Sequence, residues 1–109
     1  MKGRKLRSGN NEIKVWGTDL VVAPAVNAII RIDRIFFVAG SGIGIALGNS
    51  NDGIVLTLPG TGLAYEVPGP LDQYTVEDWL SPGKSLQIQI DNPTGLYYLL
   101  DIKYSFVPA

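Results

Sequence analysis

Along the final quarter of the chain, apolar and polar side chains alternate with little interruption. In Lys84–Asp91 the residues Leu86, Ile88 and Ile90 fall on one face, and Gln87, Gln89 and Asp91 on the other. In Leu96–Phe106 the residues Tyr98, Leu100, Ile102, Tyr104 and Phe106 share a face opposite Asp101, Lys103 and Ser105. A period of two marks β-strands that bury one side. The intervening Asn92-Pro93-Thr94-Gly95 is turn chemistry, because proline fixes φ and cannot donate to a ladder while glycine tolerates φ > 0. The two runs predict an antiparallel hairpin as the spine of an all-β domain. Its core would hold Leu86, Ile88, Ile90, Leu100, Ile102 and Tyr104.

Strand signals continue upstream. Ile13 and Val15, with Leu20-Val21-Val22, predict one strand or a pair, broken at Gly17-Thr18-Asp19, and Pro24 marks a corner. In Asn27–Ala39, Ile30 and Ile32 alternate with Arg31 and Asp33, but Ile35 and Phe37 continue on the opposite parity. A phase slip of one residue predicts a β-bulge near Arg34. Asn49-Ser50-Asn51-Asp52-Gly53 predicts a hairpin turn, followed by Ile54, Leu56 and Leu58 in alternation and a stop at Pro59-Gly60. Leu63–Val67 is a short strand. The count is about eight strands at intervals of eight to twelve residues, so the expected architecture is an antiparallel β-sandwich, jelly-roll-like, with an immunoglobulin-like sandwich less favoured.

The glycines of Gly40-Ser41-Gly42-Ile43-Gly44-Ile45-Ala46-Leu47-Gly48 do not make a phosphate loop. No third glycine stands at the G-x-G-x-x-G spacing, no Gly-Lys-Ser/Thr follows, and no helix signal comes after them. Glycines alternating with isoleucine in a strand are expected to let a neighbouring group pack closely.

Charge divides the chain. Residues 1–14 carry five cations (Lys2, Arg4, Lys5, Arg7, Lys14) against Glu12, a net of +4. The remainder carries four cations against nine acids, a net of −5. The domain reading is accordingly a basic N-terminal arm, 1–11, and a single sandwich, 12–109. With only Met1 and Leu6 to bury, the arm is expected to lie outside the sandwich, where Lys2, Arg4, Lys5 and Arg7 meet acidic groups of another protein. Nucleic acid is not the expected partner: so few cations neutralise few phosphates, and the acidic body opposes binding.

Composition narrows the chemistry. Cysteine and histidine are both absent, which removes the commonest zinc ligands, the Ser-His-Asp and Cys-His nucleophiles, and the usual general base near neutrality. No cofactor or metal is expected. The basic start runs into Ser8-Gly9-Asn10-Asn11 rather than an apolar stretch, so no leader peptide is expected, and no run is long enough for a membrane span. With 46% hydrophobic and 17% charged residues, some apolar surface is expected to face a partner. Phe36, Tyr97 and Leu99, apolar at positions whose parity marks them as outward, are the candidates for a homo-oligomer interface, expected to be a trimer.

The segment from Pro68 to Gly83 lacks periodicity and reads as a long connection, with a helical turn at Val76–Leu80 capped by Thr75. It holds Asp72, Glu77 and Asp78 beside Tyr74 and Trp79. Paired carboxylates beside aromatics suit a glycosidase, but nothing in the sequence sets these acids across a cleft, and helix capping accounts for them. No catalytic role is expected. Tyr74 and Trp79 are better read as contact residues with an acidic rim.

Several stretches together resemble small phage structural proteins. These are the polar N-terminal arm, the entry Val22-Ala23-Pro24-Ala25, the strand Ile29-Ile30-Arg31-Ile32-Asp33-Arg34-Ile35-Phe36-Phe37, and the glycine-rich hairpins. Leu80-Ser81-Pro82-Gly83-Lys84-Ser85-Leu86 then leads to a last hairpin ending in Tyr104-Ser105-Phe106. The chain is similar to phage head-decoration (cement) proteins and some tail-tip modules. That resemblance implies jelly-rolls assembled as trimers, reminiscent of tumour-necrosis-factor-like domains, and no catalytic residues. It implies a non-enzymatic virion protein, assembled in the host cytoplasm, that binds the major capsid protein on the capsid surface and bridges coat subunits. The alternative it leaves is a receptor- or glycan-binding module of a tail, using Tyr74 and Trp79.

Overall fold

The computed structural model describes residues 2–67 and 80–109. Within them the chain is all-β, with eight strands: β1 (Lys2–Gly9), β2 (Asp19–Val21), β3 (Ala28–Ala39), β4 (Gly44–Asn49), β5 (Gly53–Pro59), β6 (Tyr65–Val67), β7 (Leu86–Asp91) and β8 (Tyr98–Pro108). They form two four-stranded sheets with antiparallel pairing throughout. The first has the order β1-β8-β3-β6 and the second β2-β7-β4-β5. Among these residues no helix is long and apolar enough to cross a membrane.

The order is nested. First pairs with last (β1–β8), second with second-last (β2–β7), then β3–β6 and β4–β5, and successive pairs go alternately to one sheet and the other. The chain is thus a double ribbon whose tip is the β4–β5 hairpin, and every other connection crosses between sheets. At that tip Gly53 takes φ 76°, as the Asp52-Gly53 turn requires. Buried Asn49 accepts the N–H of Asn51 and of Asp52, and its amide donates to Asp52 Oδ2 (3.0 Å) and the Ser85 carbonyl (2.9 Å). Asp52 in turn accepts the Ser81 N–H (3.0 Å) and hydroxyl (2.6 Å), so the tip is latched to the approach to β7.

The alternation holds through Leu86–Asp91 and Tyr98–Lys103, while Ser105, expected on the outward face, is buried and Tyr104 and Phe106 are only partly so. The hairpin drawn from it does not hold. β7 lies in the second sheet and β8 in the first, so 92–95 is a crossover rather than a hairpin turn. The buried side chains of both strands meet face to face in one core with Ile30, Ile32, Ile35, Phe37, Ile45 and Leu47. Leu86, Ile88, Ile90, Leu100 and Ile102 are buried there, and Tyr104 is partly buried against them. The crossover is held by Asn92, buried, whose amide donates to the carbonyls of Asn10 (3.0 Å) and Leu96 (2.8 Å). In β3 the expected bulge is present: the register against β8 shifts between Ile32 and Arg34, which returns Ile35 and Phe37 to the core.

The N-terminal arm corrects a second expectation. Residues 2–9 are an edge strand of the first sheet, in register with Ser105 through Tyr98 of β8, rather than a tail outside the domain. Ordering this segment needs little apolar burial because β8 offers a ladder for its backbone. Side-chain anchors add to it: the Tyr104 ring lies over Gly3, where any Cβ would collide with it, and Arg7 Nε donates to the Tyr98 hydroxyl (3.3 Å). Beyond β1, Ile13 forms a single bridge to Ile90 while Val15 is exposed, so the first predicted strand reduces to β2. All four sheet edges are blunted. β1 carries cations, β2 and β6 have three residues each, and β5 has a register shift near its start and ends at Pro59.

Candidate interaction surface

The outer face of the first sheet can be read off its register in cross-strand rows. Arg4, Lys103 and Arg34 make one row. Leu6, Asp101, Phe36 and Glu66 make the next, and Ser8, Leu99 and Val38 the third. Three side-by-side cations are repulsive, and the second row supplies their counter-charges. Arg4 clamps Asp101 bidentately, Nε to Oδ1 at 2.9 Å and NH2 to Oδ2 at 2.7 Å, and Arg34 Nε pairs with Glu66 Oε1. The hydrogen bond and charge of Arg4 hold the Asp101 carboxyl below the usual carboxylate range, and Arg34 does the same for Glu66. Each carboxylate reciprocally raises its arginine. Asp101, Arg34, Glu66, Lys103 and Phe36 line a shallow hollow of about 190 Å³.

The third row and the apolar members of the second form a strip at the other end of the face. Phe36, Val38 and Leu99 are half-buried, Leu6 is 55% exposed, and Tyr97, which immediately precedes β8, is 75% exposed. Apolar residues bordered by ion pairs have the anatomy of a protein interface, dry at the centre and polar at the rim. Of the three residues expected at an oligomer interface, the structure brings Phe36 and Leu99 onto one face and sets Tyr97 at the same end of β8. Leu6 and Val38 complete the strip. Parity along the sequence does not reveal them, because Leu6 sits in a segment with the composition of a polar arm and Val38 in an almost wholly apolar run.

The basic residues fare differently. Arg4 pairs with Asp101 of its own chain, and Arg7 Nε donates to the Tyr98 hydroxyl. Lys5, exposed, lies opposite Ile102 at the sheet edge. Lys2 contributes backbone to β1, and its side chain lies outside the described residues, as do Tyr74, Trp79, Asp72, Glu77, Asp78 and all of the expected helical turn at Val76–Leu80 but Leu80, which is buried in the core. Among the described residues no group of three carboxylates could hold a metal ion.

A second concavity lies on the outer face of the other sheet. It encloses about 440 Å³ over β4, with Gly44 and Ala46 beneath and Ile54, Thr57, Gln89 and Asp91 around it. The close-packing explanation for the glycines holds for part of the 40–48 run. Leu96 Cδ1 would lie 2.8 Å from a Cβ on Gly40, and a Cβ on Gly48 would strike the Gly53 carbonyl. It fails at Gly44, where a Cβ would meet nothing within 4 Å. No protein-family model, curated protein or solved structure matches the chain.

Proposed function

We propose that this chain is a non-enzymatic structural protein of a phage particle, a jelly-roll subunit that sits on a capsid surface and bridges coat subunits. The strand orders 1-8-3-6 and 2-7-4-5 support the jelly-roll assignment, since eight strands nested as one folded ribbon are that architecture, which is frequent among viral capsid and lectin domains. The observation that carries the functional reading is the apolar strip Leu6, Phe36, Val38 and Leu99 with Tyr97 beside it, bordered by the Arg4–Asp101 and Arg34–Glu66 pairs. A small domain leaves such a strip to solvent at a cost in solubility, and subunit contacts remove that cost. The strip serves self-association into a trimer, with the blunted sheet edges leaving faces, not edges, for assembly.

The test has two parts. Analytical ultracentrifugation of the purified chain is expected to give a trimer at micromolar concentration, and Tyr97→Asp with Leu99→Asp a folded monomer. Shells assembled from the major capsid protein of the same particle should bind the wild type and show added density on their outer surface by electron microscopy. A wild-type monomer that leaves shells bare would refute the proposal.

A further inference from the structure

The concavity on the outer face of the second sheet is a built trough, and its construction is legible row by row. Across β5, β4 and β7 the register aligns Pro59–Gly44–Asp91, Thr57–Ala46–Gln89 and Ile54–Gly48–Gln87. In each row a small residue lies between two larger ones, so β4 is the floor and its neighbours are the walls. Ile13 and Lys14, placed by the bridge from Ile13 to Ile90, add to the wall on the β7 side. The volume, about 440 Å³, is within the range of small-molecule sites.

Gly44 sharpens the reading. A glycine inside a strand lowers stability and commonly marks a bulge, a bend or the close approach of a backbone or ligand. Gly44 is not among the glycines with positive φ. It pairs in register on both sides, the register shift of β4 falling later, between Leu47 and Gly48. No protein atom lies within 4 Å of where its Cβ would be. Neither a positive φ nor a close protein neighbour calls for glycine at this position, and its lack of a side chain leaves space above the floor.

The lining chemistry selects the occupant. Thr57, Gln89 and Asp91 make no side-chain hydrogen bond or ion pair among the described residues, whereas Gln87 in the next row is already committed to Asp19 Oδ1 at 2.8 Å. A hydroxyl, an amide and a carboxylate together offer mostly acceptors with a few donors, a set matched by a ligand dense in hydroxyl groups. The one cation of the lining, Lys14, already pairs with Glu12 at 4.0 Å and shares the lining with the Asp91 carboxylate, which does not suit a phosphate. No lining residue is aromatic, which removes the platform a nucleobase would stack on and leaves the apolar face of a saccharide to the aliphatic Ile54 and Ala46. An extended peptide gains no main-chain hydrogen bonds here, because β4 is paired on both sides and strand addition needs a free edge.

We infer that the trough over Gly44 and Ala46 is a binding site for a neutral saccharide, with Thr57, Gln89 and Asp91 taking its hydroxyl groups and Ile54 and Ala46 contacting its apolar face. This site is separate from the apolar strip of the first sheet and does not rest on the capsid reading.

The experiment is a ¹H–¹⁵N titration of the full chain with glucose, galactose, rhamnose, N-acetylglucosamine and maltose. At least one sugar is expected to shift the amides of Gly44, Ala46, Thr57 and Gln89 while leaving β1 and β8 unmoved. Gly44→Val fills the floor with a residue of higher strand propensity, so it should abolish the shifts while keeping or raising the melting temperature. Gln89→Leu should weaken binding about tenfold, the loss of one or two hydrogen bonds. Both variants should sediment and bind shells as wild type does, so a failure of the sugar site is distinguishable from a failure of the capsid proposal. Any one of three results overturns the inference. These are no shift with any of the five sugars, binding undiminished in Gly44→Val, or the same amides shifting on dilution alone, which would make the trough a self-association face.

Discussion

Asn92 is the residue whose replacement tests the crossover most directly. Its side chain is buried and its amide donates to the carbonyls of Asn10 and Leu96, while its own N–H donates to Glu12 Oε2 at 3.2 Å. One side chain thus joins the β7–β8 crossover to the segment leaving β1. Asn92→Ala removes both donors, and at about 1 kcal/mol net per hydrogen bond the loss is about 2 kcal/mol. Asn92→Asp keeps the shape but directs a carboxylate at two carbonyl oxygens, so it should cost at least about 1 kcal/mol more than alanine at neutral pH. Urea denaturation followed by tryptophan fluorescence would register the alanine change as a midpoint lowered by about 1 M. The aspartate variant adds a pH signature. Burial and the facing carbonyls raise its folded-state pKa above the unfolded value. Its deficit relative to wild type should therefore be smallest below the ordinary carboxylate range and should grow as pH rises through the raised value. An Asn92→Asp protein as stable as wild type at pH 7 would show that Asn92 does not donate to these carbonyls, and the account of the crossover would fall.

Removing residues 2–9 should lower stability and promote aggregation, because β8 then becomes an unpaired eleven-residue edge; a truncated protein with unchanged melting temperature and solubility would return the segment to the status of a tail. Ile102→Ala, at a fully buried position flanked by Lys5 and Ile35 on neighbouring strands, should cost about 2–5 kcal/mol by chemical denaturation, with little room to collapse. At Asp52, partial burial works to raise the carboxyl, but donors from Ser81, Asn49 and Asn51 outweigh it and hold the group below its ordinary range. Its stabilising contribution is thus complete above about pH 4 and is lost as pH falls through the depressed value. Asp52→Asn should flatten the acid limb of the stability profile, and an unchanged limb would contradict the latch.

The buried faces were legible in the sequence and the neighbours were not. Alternation in Leu86–Ile90 and Tyr98–Phe106 states that one side of each strand is covered. The same pattern arises whether two strands lie side by side in one sheet or face each other across a core, so the hairpin inferred from it was one of two geometries with equal local signal. The bulge near Arg34 was readable because a phase slip changes which residues are covered. The strand at 2–9 was not, because its stabilisation comes from β8's backbone, 97 residues away at the Arg4–Asp101 pair, rather than from its own side chains. Of the interaction strip, Phe36, Tyr97 and Leu99 could be picked out by parity, whereas Leu6 needed β1 to be recognised as a strand. The trough was hidden for a related reason: Gly44, Thr57 and Gln89 become neighbours only through the lateral order β5-β4-β7.

The nested order also dictates a sequence of events in time. Only the β4–β5 hairpin joins strands close along the chain, and each pairing outside it becomes inexpensive in loop entropy once the inner ones have brought its ends together. Assembly should therefore proceed like a zip from the hairpin outward, slowly for a domain of this size, since almost every ladder is remote in sequence. β1 would then dock last, on a surface already complete. In kinetic terms, a chain lacking β1 should refold at nearly the wild-type rate and unfold faster, which makes the basic strand a clasp that sets how long the folded state lasts.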